Sequence, residues 1–223
     1  MSSATFRSAL NLSPAERTTR RRRKDARPSE LTAAALELFV EQGFAATRLD
    51  HVAARAGVSK GTLYLYFNSK EALFKAVVED GMVAALVAAE QHLSDHHGSA
   101  TELLQQLLRG WWEQIGSTSM AGVSKLIIAE SRNFPELAQY YRERVIRRGR
   151  ALLRSALQRG IDAGEFRPVD VEATVDVIIA PLLMLAISRF SLRLCGQEVA
   201  PEAYLDAHIA LLLHGLGRGE ATR

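Results

Sequence analysis

Residues 49–73 read LDHVAARAGVSKGTLYLYFNSKEAL, and the spacing of glycine, small and apolar residues there decides the fold around it. Leu49, Val52, Ala53 and Ala56 recur at helical intervals and make one short apolar stripe. Thr47, three residues before Asp50, has the form of a capping box, so a helix is predicted from Thr47 to Ala56 and Gly57 stops it. Ser59 caps a second short helix running to about Tyr66, with Leu63 and Phe67 turned inward and Val58 filling the angle between the two. Short helices hinged on a glycine, with a small residue before it so that the backbones approach, are the parts of a helix-turn-helix. The second helix then exposes Ser59, Lys60, Thr62, Tyr64 and Tyr66, all able to hydrogen bond, and its first residues are those a recognition helix turns toward base edges.

Outward from this stretch the helical signals continue. Pro28 and Ser29 mark a preceding helix start, and Leu31, Ala34, Ala35 and Leu38 fall at i, i+3, i+4 and i+7 before Gly43 ends that helix. Asn68, three residues before Glu71, offers the next start. Further helices are predicted over about residues 69–93, 99–117, 121–131, 135–161, 170–194 and 201–216. There is no strand-length alternation between hairpin turns and no internal repeat, so the fold class is all-α. Composition shifts to Ala, Leu and Val near Asp80. This divides the chain into a basic arm read as disordered (1–27), a small helix-turn-helix module (28–75) and a larger helical body (76–223), which the family resemblance given below implies are a DNA-binding domain and a ligand-binding and dimerisation domain.

The 223 residues, 48% hydrophobic and 24% charged, are enough for a sizeable core and exclude disordered or disulfide-scaffold classes. The net charge of +3 is unevenly placed. Residues 17–27 hold Arg17, Arg20, Arg21, Arg22, Arg23, Lys24 and Arg27 against Asp25 alone, and the remaining 212 residues carry a net −3. Such a block is either a solubilising tail or a polyanion-binding arm. Cys195 has no partner within the chain, which fits a reducing compartment, and lacks a basic neighbour nearer than Arg193 to activate it. The longest apolar run, Val177 to Ile187, is eleven residues where a membrane span needs about 20, so it reads as buried helix. With no secretory signal in view, a cytoplasmic location is expected, nucleoid-associated when DNA is bound, with no membrane partner.

The segment Leu49–Leu73, with AALELFVEQGF before it and YFNSKEAL entering the next helix, resembles the DNA-binding signature of the TetR/AcrR family of one-component bacterial regulators. The rest of the chain resembles the family in length, helicity and the stretch FPELAQYYRERVI. The resemblance implies that Thr47 caps the second helix and meets phosphate. It implies that Ser59, Lys60, Gly61 and Thr62 begin the recognition helix, with Gly61 admitting the backbone close to DNA. Tyr64 and Tyr66 would reach phosphate or sugar, and Lys70 would clamp phosphate at the start of the fourth helix. Tyr66 departs from the histidine common there, which keeps a polar tip and removes a titratable group. Arg48, Lys60, Lys70 and the arm residues Arg20, Arg21, Arg22 and Arg23 supply phosphate charge, and the arm stands where comparable arms enter the adjacent minor groove.

The resemblance further implies that the last two long helices pair with their copies in a four-helix bundle. A homodimer on a palindromic, double-stranded operator follows, with Leu182, Leu185, Leu205, Ile209, Leu212 and Leu216 at the interface. Pro181 is expected to kink or open the first of these helices. Trp111, Trp112, Ile115, Ile127, Phe134 and Tyr141 either line a pocket for an unidentified small-molecule effector or are ordinary core. Glu130 and Arg132 either orient a polar ligand or face solvent. His92, His96 and His97 sit beside Gly98 and Ser99 and read as a solvated loop in preference to a metal site, while His208 and His214 are placed near the dimer face. No phosphate-cradling glycine loop, nucleophile elbow or metal set is present, so no enzyme and no cofactor are expected. The leading reading is a sequence-specific regulator, a repressor released by its effector. The alternative is a helical interaction protein whose basic arm binds polyanions or an acidic partner without sequence preference.

Overall fold

The structure, a computed structural model, describes residues 14–191 and 200–217, with side chains over 28–189 and 200–217. Among the described residues eleven α-helices follow in order: α1 (Pro14–Ala46), α2 (Leu49–Arg55), α3 (Lys60–Tyr64), α4 (Lys70–Val78), α5 (Ala84–Asp95), α6 (Ala100–Trp111), α7 (Ala121–Glu130), α8 (Pro135–Tyr141), α9 (Arg147–Asp162), α10 (Val171–Ser191) and α11 (Pro201–Leu216). Single π-helical turns at Glu79–Val83, Trp112–Gly116 and Arg142–Ile146 join α4 to α5, extend α6 and join α8 to α9. These junctions make the long helical stretches read from the sequence, and the all-α class holds among the described residues.

The first helix is longer than its sequence signals indicated. It begins at Pro14, so residues 14–27, expected to be part of a disordered arm, are helical, and the helix runs through Pro28. Proline is tolerated in a first turn, as at Pro14, and the Ala- and Arg-rich run behind it favours helix. The arm side chains, Arg20 to Arg23 among them, lie outside the described residues, as does Cys195.

Two apolar cores organise the chain. The first is built from Leu31, Phe39 and Phe44 of the α1 region, Val52 of α2, Leu63 of α3 and Phe74 of α4. It continues without a break into Leu126 and Ile127 of α7 and Leu137 and Tyr141 of α8. The Phe44 ring meets Phe134 edge-on at 4.7 Å between centroids. At Gly122 in α7 an added methyl would stand 2.5 Å from Val40 of α1, so glycine sets the close approach of those two helices. The helix-turn-helix is thereby packed onto the helical body through shared side chains. Its motion is tied to α7 and α8 because close-packed interiors transmit displacement.

The second core gathers Leu104 and Leu108 of α6, Leu153 and Leu157 of α9, Val175, Ile178 and Leu182 of α10, and Leu205, Ile209 and Leu216 of α11. This corrects the interface read from the sequence: Leu182, Leu205, Ile209 and Leu216 are buried inside the protomer, with Leu185 and Leu212 packed partly against them. A helix that is apolar all round leaves the choice of inner face to its neighbours, and α6 and α9 claim this one. The outward face carries Val177 (63% exposed) and Met184 (57%) on α10 and Leu211 (76%) on α11. The segment Val171–Arg189 is long and apolar enough to cross a membrane by length and composition, contrary to what its uninterrupted run implies. Its flank bears Glu172 and Asp176, both paired with Arg150 of α9, and α10 runs unbroken through Pro181.

Candidate nucleic-acid interface

Helix α3 is held from behind and open in front. At the turn, Val58 N donates to Ala53 O at 2.9 Å and Gly57 adopts φ 67°, a left-handed backbone that favours glycine. Ser59 caps α3 by accepting from Thr62 N at 3.1 Å, and its hydroxyl lies 2.9 Å from the Thr62 hydroxyl. Leu63 is fully buried, anchoring one side of the helix, while Ser59, Lys60, Gly61, Tyr64 and Leu65 are exposed and Thr62 is half-buried. Tyr66 is half-buried against the first core.

Three residues assigned to phosphate from the sequence have different places. Thr47 is 2% exposed, and its hydroxyl donates to Gly43 O at 2.7 Å. It staples the end of α1 and does not cap α2, whose N-cap is Arg48 with no side-chain cap bond. The predicted capping box is therefore absent, because the buried carbonyls at the end of α1 take the hydroxyl first. Lys70 is half-buried at the start of α4, its ammonium donating to Phe44 O at 2.6 Å and Ala45 O at 3.0 Å. Burial holds its pKa below the ordinary lysine value. The cap of α4 is Ser69, which accepts from Ala72 N at 3.0 Å, and not Asn68. Arg48 remains exposed but shares the Asp50 carboxylate with Lys60, at 3.1 and 3.9 Å. The Arg48 hydrogen bond lowers the Asp50 pKa, so the carboxylate stays charged beside the reading surface.

The electrostatics of this surface are sparse. Residues 28–75 contain five basic side chains, Arg48, Arg55, Lys60, Lys70 and Lys75, and five acidic ones. Arg55 is spent on Glu37 and Glu41, and Lys75 lies over the Tyr140 ring at 5.2 Å. Residues 28–75 are thus electrically neutral by this count, and the positive charge of the N-terminal region resides in residues 17–27.

Two family models match this chain. One, for bacterial regulatory proteins of the tetR family, covers residues 31–77, and the other, the tetracyclin repressor-like C-terminal domain, covers residues 94–212. The chain belongs to the TetR family. The uncharacterized HTH-type transcriptional regulator YfiR of Bacillus subtilis is 32% identical over 158 residues, 68% of this chain and 74% of that protein. A second B. subtilis regulator, YdeS, is 31% identical over 176 residues, 76% of this chain and 79% of its own length. A TetR-family regulator from Mesorhizobium loti superposes with a TM-score of 0.67 at 25% identity, covering 88% of this chain and 99% of that one. The FadR regulator of B. subtilis in complex with stearoyl-CoA shares the fold, with a TM-score of 0.71 at 23% identity over 84% and 98% of the two chains. The protein is accordingly a DNA-binding transcriptional regulator and not an enzyme.

TetR-family regulators act as dimers and bind small-molecule effectors. The six aromatic and apolar residues proposed for a pocket do not surround one space. Ile115, Ile127 and Tyr141 fill the first core, with Trp111 and Phe134 against it, while Trp112 belongs to the second. The Tyr141 hydroxyl meets that of Ser124 at 2.9 Å within the core. A cavity of about 250 Å³ lies between the end of α6 and the start of α11, lined by Arg109, Trp112, Glu113, Ser117, Glu202 and Leu205. Sequence spacing points to Trp112, but the facing wall, Glu202 and Leu205, stands about ninety residues further along the chain, which periodicity cannot join.

Glu130 accepts from Ala45 N at 3.4 Å and from Asn133 Nδ2 at 3.1 Å, and Arg132 is exposed. His92 and His96 bond to Gln106 and to Ser99 O, and no metal-holding cluster occurs among the described residues. His208 lies within the protomer, 3.2 Å from Ile178 O, and burial lowers its pKa; His214 is exposed.

Proposed function

We propose that the protein is a dimeric repressor that occupies a palindromic operator and leaves it when a small molecule binds the helical body. The carrying observation is α3: one buried anchor, Leu63, on a glycine-hinged turn, with Ser59, Lys60, Gly61 and Tyr64 open to a groove. Residues 28–75 form the DNA-reading unit, residues 76–223 the sensing and dimerising unit, and the complex is nucleoid-associated while bound. The exposure of Val177, Met184 and Leu211 on two helices that pack together supports pairing of α10 and α11 with their copies, because large apolar side chains gathered at a surface call for a partner. Two-fold symmetry then places two reading helices on half-sites about one helical turn, or a multiple of it, apart.

The shared first core gives the effector its lever. A ligand that displaces α7 or α8 moves the helix-turn-helix with them, changing the separation of the paired reading helices. The cavity beside Trp112 is the candidate seat. Arg20, Arg21, Arg22 and Arg23 add phosphate contacts before the neutral reading unit, and their entry into the minor groove is part of the same proposal.

The neutrality of residues 28–75 also favours a second reading, in which the basic arm alone attaches the protein to polyanions. The ratio of affinity for the best duplex in a panel to affinity for bulk mixed-sequence DNA, at near-physiological salt, separates the two. Regulation by operator occupancy predicts a ratio on the order of 10³ or more. A ratio near one establishes the arm-driven reading.

A further inference from the structure

We infer that Leu65 reads a thymine methyl group in each half-site. The inference rests on α3 being the DNA-recognition helix. At 100° per residue, Gly61 and Leu65 lie roughly 160° to either side of Leu63, so together they form the face of the helix turned farthest from the core. Leu65 still has helical backbone angles, φ −69° and ψ −22°, and keeps this register. It is 82% exposed, more than any other large apolar residue described.

Gly61 beside it has no internal reason to be glycine. Its φ is not in the left-handed region, and the nearest heavy atom an added methyl would meet is Ser59 Oγ at 3.9 Å. Alanine fits the space and is the better helix former, so the fold itself does not demand the missing side chain. A glycine with open space over it, followed one turn later by an outward leucine, makes a shallow notch with an apolar wall. Tyr64 stands beside that notch, half-exposed.

Leucine has neither donor nor acceptor to offer a base edge. In the major groove the apolar group at hand is the thymine C5-methyl, while the other base edges present donors and acceptors. Gly61 lets the backbone descend far enough for the leucine methyls to reach it. Thymine recognition thus comes from apolar contact, beside the hydrogen-bonding contacts of Lys60, Thr62 and Tyr64.

The test replaces each thymine of a selected duplex in turn by deoxyuridine, which removes the methyl and keeps the pairing. Affinities are measured for the full-length protein and for Leu65→Ala, a change at an exposed position that leaves the core intact. The wild type loses about fourfold per half-site at one symmetric thymine position, the worth of one buried methyl. Leu65→Ala binds the thymine and deoxyuridine duplexes equally. Tight selective binding by the wild type with no loss at any thymine, or an undiminished loss in Leu65→Ala, overturns the contact and leaves the recognition helix standing. A wild type that prefers no duplex over any other overturns the recognition helix and this contact with it.

Discussion

The Lys70 ammonium stands 2.6 Å from the carbonyl oxygen of Phe44, above the Phe44 ring at 4.6 Å from its centroid. Two carbonyls at the end of α1 and an aromatic face surround a cation that the family resemblance assigns to phosphate. Lys70 therefore ties α4 to α1, and through Phe44 to Phe134 of the body. Lys70→Met is expected to lower stability by about 2 kcal/mol, within the range for hydrogen bonds made by a charged group. The slope of log affinity against log salt for DNA is expected to stay within a fraction of a unit of wild type. A slope reduced by about 0.9 with unchanged stability identifies a phosphate clamp instead.

The two faces of α10 and α11 separate assembly from folding. Val177→Glu or Leu211→Glu places charge on the outward face, leaving the second core untouched, and yields folded monomers with weakened DNA affinity. Leu205→Ala instead removes a core side chain and costs about 2–5 kcal/mol. Sedimentation with circular dichroism checks both. Intact dimers from both outward variants refute the interface.

How much of this was legible in the sequence differs by element. Leu63, Gly57 and Ser59 declare the helix-turn-helix because the local spacing is itself the mechanism: an anchor, a left-handed hinge and a cap. The carbonyl partners of Thr47 and Lys70 are not legible, because a polar side chain near a helix start can be claimed by carbonyls that only the fold brings close. Leu205, Ile209, Leu212 and Leu216 fall on one face of α11 by their spacing, and that face is the buried one, but the sequence does not say whether the protomer's own helices or a second copy cover it. The cavity beside Trp112 needs α6 and α11 together, and neither helix names the other. Leu65 was readable from its place opposite Leu63, but an apolar residue draws no notice when hydrogen-bonding groups are sought.

Acid should weaken the α9 to α10 contact. Hydrogen bonds from Arg154 and then Arg150 lower the Glu172 pKa to about 2, from an ordinary value of 4.5. The folded state thus holds that proton less tightly than the unfolded chain. Its stabilisation is present above about pH 4.5 and is lost as pH falls toward 2. Glu172→Gln is expected to reduce proton uptake on acid unfolding by up to about one, read from the dependence of stability on pH. Unchanged uptake means that the exposed pairs contribute nothing, as many surface pairs do.

The arm carries the charge that the reading unit lacks. Replacing Arg20, Arg21, Arg22, Arg23 and Lys24 by alanine is expected to flatten the salt dependence of DNA binding by about 0.9 for each phosphate that the arm no longer neutralises. The order of preference among duplexes is expected to survive, since phosphate contacts carry little sequence information. An unchanged slope shows that these residues do not touch DNA.

Everything proposed for this protein depends on a symmetric pair of α3 helices reading sequence. Selection of bound molecules from random duplex DNA, with the full-length protein at near-physiological salt, tests that dependence without any intermediate step. An inverted repeat is expected to be enriched, its half-sites about one helical turn, or a multiple of it, apart. Retention of DNA without any enriched repeat would show that the α3 pair does not read sequence.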